Sequence, residues 1–192
     1  MDAIKKVTVN EKTLKIFYDD SFESPRNWDN LGKMICFHNR YNLGDEHNYN
    51  SDDYSGWDEM EQDIIKNEDV AVILPLYLYD HSGITISTNP FGCRWDSWQV
   101  GFAIVTKEAV RKEFMSKRVS KKQIEKAEKI LLTEVDIYDT YIRGDVYGFE
   151  VLDKNEDVIN SCWGFYGTDF EKNGIAEYVE EKELITALLE KV

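Results

Sequence analysis

The chain has 192 residues, 37 acidic against 23 basic side chains and a net charge of −14, with 42% hydrophobic and 13% aromatic residues. That balance excludes an intrinsically disordered chain, which pairs low hydrophobicity with high charge, and it opposes unaided nucleic-acid binding, because phosphates are met largely by Lys and Arg. The longest apolar stretch, Val70–Tyr79, contains Pro75 and falls well short of the roughly 20 residues that span a bilayer.

Along the chain, Val7 and Val9, then Leu14, Ile16 and Tyr18, alternate with polar residues around Asn10-Glu11, the pattern of an N-terminal hairpin. Ser24–Asn30 carries turn chemistry, and Lys33–His38 is a short element, strand or helix. Residues 45–69 hold ten Asp/Glu against Lys66 alone. Within them Trp57, Met60, Ile64 and Ile65 recur at helical spacing, one apolar stripe on an otherwise anionic helix. Val70–Leu74 and Ile84–Thr88 read as strands about a turn at Asp80-His81-Ser82-Gly83. Val100–Val105 is a third, closed by Thr106, a good N-cap for a helix from Lys107.

A long helix is predicted from Ser120, its apolar face running from Ile124 through Leu131 and Val135 to Ile142, with Gly144 placed as a left-handed C-terminal residue. Val146–Leu152 and Val158–Trp163 form a hairpin pattern around Lys154–Asp157, and helical patterns near Phe170–Val179 and Glu181–Leu189 close the chain. Hairpins in succession, with helices between and after them, predict a single α+β domain: a mostly antiparallel sheet with helices packed on one side. No βαβ repeat, low-complexity tract or linker interrupts it. Cys36, Cys93 and Cys162 are odd in number and far apart, and Met1–Lys6 precedes no apolar run. Both features predict a soluble, cytoplasmic protein without disulfides.

Two stretches carry candidate chemistry. Cys36–His47 packs Cys36, His38, Arg40, Asp45, Glu46 and His47 into twelve residues. Its histidine spacing fits no zinc signature and HExxH is absent, so no metal or other cofactor is expected. Arg40, between aromatics, could clamp a carboxylate or phosphate. The second runs from Asp80-His81-Ser82-Gly83 to Cys93–Gln99. As a hydrolytic site it would use Asp80 to orient the His81 imidazole and Cys93 or Ser82 as nucleophile, with His38 and Asp96 as further members of the site. Asp-His-Ser-Gly also makes an ordinary tight turn, and neighbouring residues on a strand point to opposite faces. Gly164, Gly167 and Gly174 match no nucleotide-binding pattern.

Glu23-Ser24-Pro25-Arg26-Asn27-Trp28-Asp29-Asn30, Leu76–Thr85, Trp95-Asp96-Ser97 and Ser161-Cys162-Trp163-Gly164-Phe165-Tyr166-Gly167 together resemble a family of small, mostly uncharacterised proteins of bacteriophages and other mobile elements. The resemblance implies counter-defence by an anti-CRISPR-like protein, in which an acidic surface occupies the basic nucleic-acid channel of a host effector. A DNA mimic must space its carboxylates like phosphates, about 7 Å or less apart along a strand. Asp52, Asp53, Asp58 and Glu59 are dense enough to be the binding residues, joined by Arg40. Residues 107–129, with nine Lys/Arg against four Glu, form a local basic patch that counts against a uniformly anionic mimic. The alternative is a small hydrolase using His81, Asp80, Asp96 and Cys93, with or without a metal ion.

Overall fold

A computed structural model describes residues 2–93 and 95–190. The described residues form strands β1 (Lys5–Val9), β2 (Lys12–Tyr18) and β3 (Lys33–Cys36), helix α1 (Trp57–Asn67), and strands β4 (Val70–Asp80), β5 (Ile84–Ser87) and β6 (Ser97–Thr106). Helices α2 (Lys107–Glu113) and α3 (Lys121–Arg143), strands β7 (Val146–Leu152) and β8 (Val158–Tyr166), and helices α4 (Ile175–Tyr178) and α5 (Lys182–Leu189) complete the order. The fold is α+β with two four-stranded sheets, every strand pairing antiparallel. Its contacts gather into two compact units, residues 1–24 with 140–192, and Pro25–Asp139. No helix among the described residues is long and apolar enough to cross a membrane.

The first unit holds the sheet β1-β2-β7-β8. Asn10 and Glu11 both take positive φ, 49° and 63°, the backbone that closes a two-residue hairpin between twisted strands. Register places Leu14 opposite Val151 and Ile16 opposite Phe149, so period-2 alternation gathers four fully buried apolar side chains on one face. Ile175 of α4 and Leu184, Ile185 and Leu188 of α5 cover that face. The helix expected over Phe170–Val179 shrinks to Ile175–Tyr178. Asp169 takes the backbone N–H groups of Glu171 and Lys172 into a turn, and Gly174 follows at φ 104°.

In the second unit the order is β3-β6-β4-β5. The element at Lys33 is a strand, ending at Cys36. β6 is buried without a break from Val100 to Val105, the continuous apolar run of a strand covered on both faces. Phe102 and Ile104 meet Met60 and Ile64 of α1 together with Ile35. Ile65, expected on the same stripe, is exposed. Only glycine fits at 101, where a Cβ would run into the carbonyl of Ile35. β4 continues past Leu74, through Pro75, to Asp80. Pro75 pairs with Phe102 of β6, whereas pairing to β5 starts at Tyr77, so the missing N–H falls where β4 has a neighbour on one side only.

Two helix starts follow side-chain chemistry. Thr106 Oγ1 accepts from Ala109 N at 3.1 Å and opens α2. Ser120 and Gln123 cap each other before α3: Gln123 Oε1 accepts from Ser120 N at 2.8 Å and Ser120 Oγ from Gln123 N at 3.4 Å. The buried stripe of α3 is narrower than its pattern suggests, comprising Ala127, Leu131, Val135 and Tyr138.

Candidate functional site

The carboxylates of residues 45–69 divide into two kinds. Asp45, at the start, is structural. Arg26, 6% exposed, donates to it from Nε at 3.1 Å and Nη2 at 2.6 Å, a two-pronged pair. Asp45 also accepts from Met34 N, and Arg26 Nη2 donates to Gly32 O. Glu134 of α3 lies 3.8 Å from Arg26 and accepts the N–H groups of Leu31 and Gly32. Burial pushes the Glu134 carboxyl above the usual carboxylate range, against the pull of those N–H groups and of Arg26. This cluster pins the loop after Pro25, β3 and α3 together.

At the other end Asp69 pairs with Lys107 at 2.6 Å. Between these ends, among the described residues, no carboxylate from Glu46 to Glu68 forms an ion pair. Of the nine cations in 107–129, only Lys107 pairs with the acidic segment. Asp52, Asp53, Asp58 and Glu59 are all exposed. Where carboxylates between Glu46 and Glu68 have partners, these are neutral groups of the same segment. Ser55 donates N–H and O–H to Glu59, holding its carboxyl below the usual range. The Tyr54 hydroxyl donates to Asp63 at 2.8 Å, and Tyr49 donates to Glu68 at 3.0 Å. Both phenols are pushed up, Tyr54 mainly by its carboxylate acceptor and Tyr49 mainly by burial. The result is an anionic surface whose geometry is fixed by hydroxyls that leave its charge intact.

The twelve-residue stretch Cys36–His47 separates into an inner and an outer half. Inward, Cys36 is buried and its thiol is pushed up to about 12 by desolvation and by the charge of Asp45. His47 Nε2 lies 3.0 Å from Cys36 O, and its ring packs 4.8 Å from Phe37. Outward, His38 Nδ1 accepts from the backbone N–H groups of Arg40 and Tyr41, which places that ring's proton on Nε2, and the ring stacks on Trp98. The Arg40 guanidinium, expected as a clamp for an anion, is paired with Asp80 of the same chain and remains exposed.

The second stretch converges in part. His81 Nδ1 lies 3.4 Å from Asp96 Oδ2, and Cys93 Sγ lies 3.5 Å from the same oxygen. The order is thus cysteine, carboxylate, histidine. A nucleophilic cysteine needs the imidazole next to the sulfur and the carboxylate behind it. Here the thiol donates its S–H to a carboxylate, with no imidazole beside the sulfur. His81 is 64% exposed. Asp80 is engaged with Arg40 and makes no bond to His81, and among the described residues no hydrogen bond joins His81 to His38 or Ser82. No group of three or more His, Cys, Asp or Glu among the described residues could hold a metal ion.

Three positions carry roles that sequence patterning did not assign. Glu134 and Asp139 on α3 anchor backbone, Asp139 accepting from Ile86 N at 2.8 Å and Thr85 Oγ1 at 2.5 Å. Their signal was faint: acidic residues beside the apolar stripe. Trp163 stands 41% exposed on the face of β8 opposite the core. No family model, curated protein or solved structure matches the chain.

Proposed function

We propose that this chain is an acidic binding protein that presents the surface from Asp52 to Asp63 to a basic, nucleic-acid-binding groove of another protein. The phage and mobile-element strings suggest a host defence nuclease, such as a CRISPR effector, as that partner, making the chain an anti-CRISPR-like inhibitor. What supports this is one observation: the carboxylates between Glu46 and Glu68 are left without cations, although nine Lys/Arg occur in 107–129 of the same unit. Unpaired like charges on a surface cost a little stability and gain long-range attraction for an opposite surface. Asp52, Asp53, Asp58 and Glu59 are the binding residues, while Arg40 serves the fold through Asp80.

The hydrolase alternative would rest on Cys93, Asp96 and His81, whose order places the carboxylate where the base belongs. The test is affinity capture from a bacterial lysate by the immobilised chain at about 50 and 500 mM salt, a range over which exposed charge pairing is heavily screened. A basic nucleic-acid-binding protein is retained at low salt and released at high salt. Changing Asp52, Asp53, Asp58 and Glu59 together to Lys abolishes retention while the far-ultraviolet circular dichroism is kept. Retention unchanged by the reversal overturns the proposal.

A further inference from the structure

β8 is an edge strand, bonded to β7 on one side. Among the described residues no other backbone segment bonds to the backbone of Val158–Phe165, and the one bond to a backbone group beyond the sheet is from the Asn160 side chain to Tyr178 O at 3.2 Å. An open edge of this kind offers a row of N–H and C=O groups to any extended chain, and proteins usually blunt it with charges or proline. This one has neither: Val158–Thr168 is eleven residues without a charge or a proline, in a chain 31% charged. Val158, Ile159 and Trp163 are exposed along it. The strand carries two irregularities. Between them Asn160–Trp163 pairs regularly with Gly148–Val151, giving an added strand a straight central run.

The face of Trp163 indicates which chain fits. The indole lies over Gly148, where any Cβ would run into it, and beside Phe17 at 5.8 Å. One ring face is thereby packed, and 41% of the residue remains open. A groove of 540 Å³ on one side is lined by Asp2, Ala3, Lys15, Phe17, Glu150 and Trp163. A second, of 380 Å³, is lined by Asp19, Asp20, Ser21 and Trp163. Four carboxylates against the single cation Lys15 therefore surround an exposed indole. Asp19 is partly committed, accepting from Ser21 N at 2.9 Å. An aromatic face between carboxylates is the setting that attracts a Lys or Arg side chain.

We propose that β8 is a docking edge for an extended basic segment of another protein. The segment adds as a fifth strand and seats a Lys or Arg on Trp163, between Asp20 and Glu150. Side chains directly across from one another on neighbouring strands have Cβ atoms roughly 5 Å apart, so a long basic side chain opposite Trp163 reaches the indole. Main-chain bonding supplies affinity and the alternate side chains supply selection. Charge argues against a second copy in this place. A two-fold pairing of β8 with itself sets the start of one strand beside the end of the other, bringing Glu156 and Asp157 against Asp169 and Glu171.

The probe is an acetylated nonapeptide, Lys-Val-Thr-Val-Lys-Val-Thr-Val-Lys, titrated into the full chain and followed by tryptophan fluorescence and amide hydrogen exchange. Binding should slow exchange in 158–166, and replacing the peptide's lysines with glutamate should weaken it at least tenfold. N-methylation of alternate peptide amides should do the same, as should Trp163→Ala or, if that variant is poorly folded, Ile159→Lys with Asp20→Lys. Reversal of Asp52, Asp53, Asp58 and Glu59 should leave the peptide's affinity unchanged, which keeps this surface separable from the acidic one. Affinity indifferent to N-methylation overturns the proposal, as does protection of 158–166 without peptide, whether from a second copy seen by sedimentation or within the monomer.

Discussion

Asp45 and Asp58 belong to the same acidic run, yet they have opposite fates. Asp45 is gripped by a buried arginine from nineteen residues upstream and by a backbone N–H of β3. Asp58 stands exposed on the first turn of α1 without a cation. The difference is decided by where the counter-charge sits. Arg26 follows Pro25 into a short 3₁₀ turn whose side chain points inward, whereas the cations of 107–129 lie on α2, α3 and the loop between them and leave the run alone, Lys107 excepted. Charge density in a sequence therefore does not distinguish a carboxylate that holds the fold from one that the fold displays.

The largest expected effect comes from breaking the gripped end. Arg26→Ala leaves the half-buried Asp45 and Glu134 without their cation, a loss that approaches the cost of about 3–5 kcal/mol for breaking a fully buried pair. Urea denaturation should show that loss, while Asp58→Lys leaves the midpoint nearly in place. A cost for Arg26→Ala below about 1 kcal/mol, the scale of an exposed pair, would erase the contrast between the two ends.

Glu134 sharpens the same contrast through pH. Its carboxyl is raised by burial, so the folded chain binds that proton more tightly than the unfolded one. The stability this contributes is fully present below the unfolded value, near 4.5, and is lost as pH rises through the folded value. Relative to Glu134→Gln, the wild-type chain should lose ground as pH is raised from about 4 toward 7, measured as the difference in urea midpoints. A difference flat with pH would mean that the Leu31 and Gly32 N–H groups and Arg26 fully offset the burial.

Much of this fold was legible in sequence because its signals are local. The hairpin at Asn10-Glu11, the Met60 and Ile64 stripe, the Thr106 cap and Gly144 each depend on residues within a few positions of one another. The α+β class follows from their order. The pairings that organise the sites are distant: Arg40 reaches Asp80 across 40 residues, and Leu31 reaches Glu134 across 103. The division into two units left no mark either, since β2 pairs with β7 and the chain leaves the first unit at Ser24 to return at Thr140. Trp163 stood only as the end of a hairpin pattern, because its exposure depends on Gly148 across the sheet. The hydrolytic constellation was half legible. Its residue types are present and His81 and Asp96 do meet, but only coordinates give the order of contacts.

The smallest expected effect lies at the far end of the acidic run. Asp69 and Lys107 are also an ion pair, with a shorter separation than several others in the molecule, but both side chains are exposed. Lys107 holds the Asp69 carboxyl below its ordinary value. The stability this contributes is present at neutral pH and is lost as pH falls through the folded value. Water and salt screen the pair, and two flexible side chains must be ordered to make it. Asp69→Asn should therefore shift the urea midpoint far less than Asp45→Asn, and raising the salt concentration should remove what shift there is. Equal shifts for the two substitutions would mean that burial of the partner, Arg26 against Lys107, is not what separates a carboxylate that holds the fold from one at its surface.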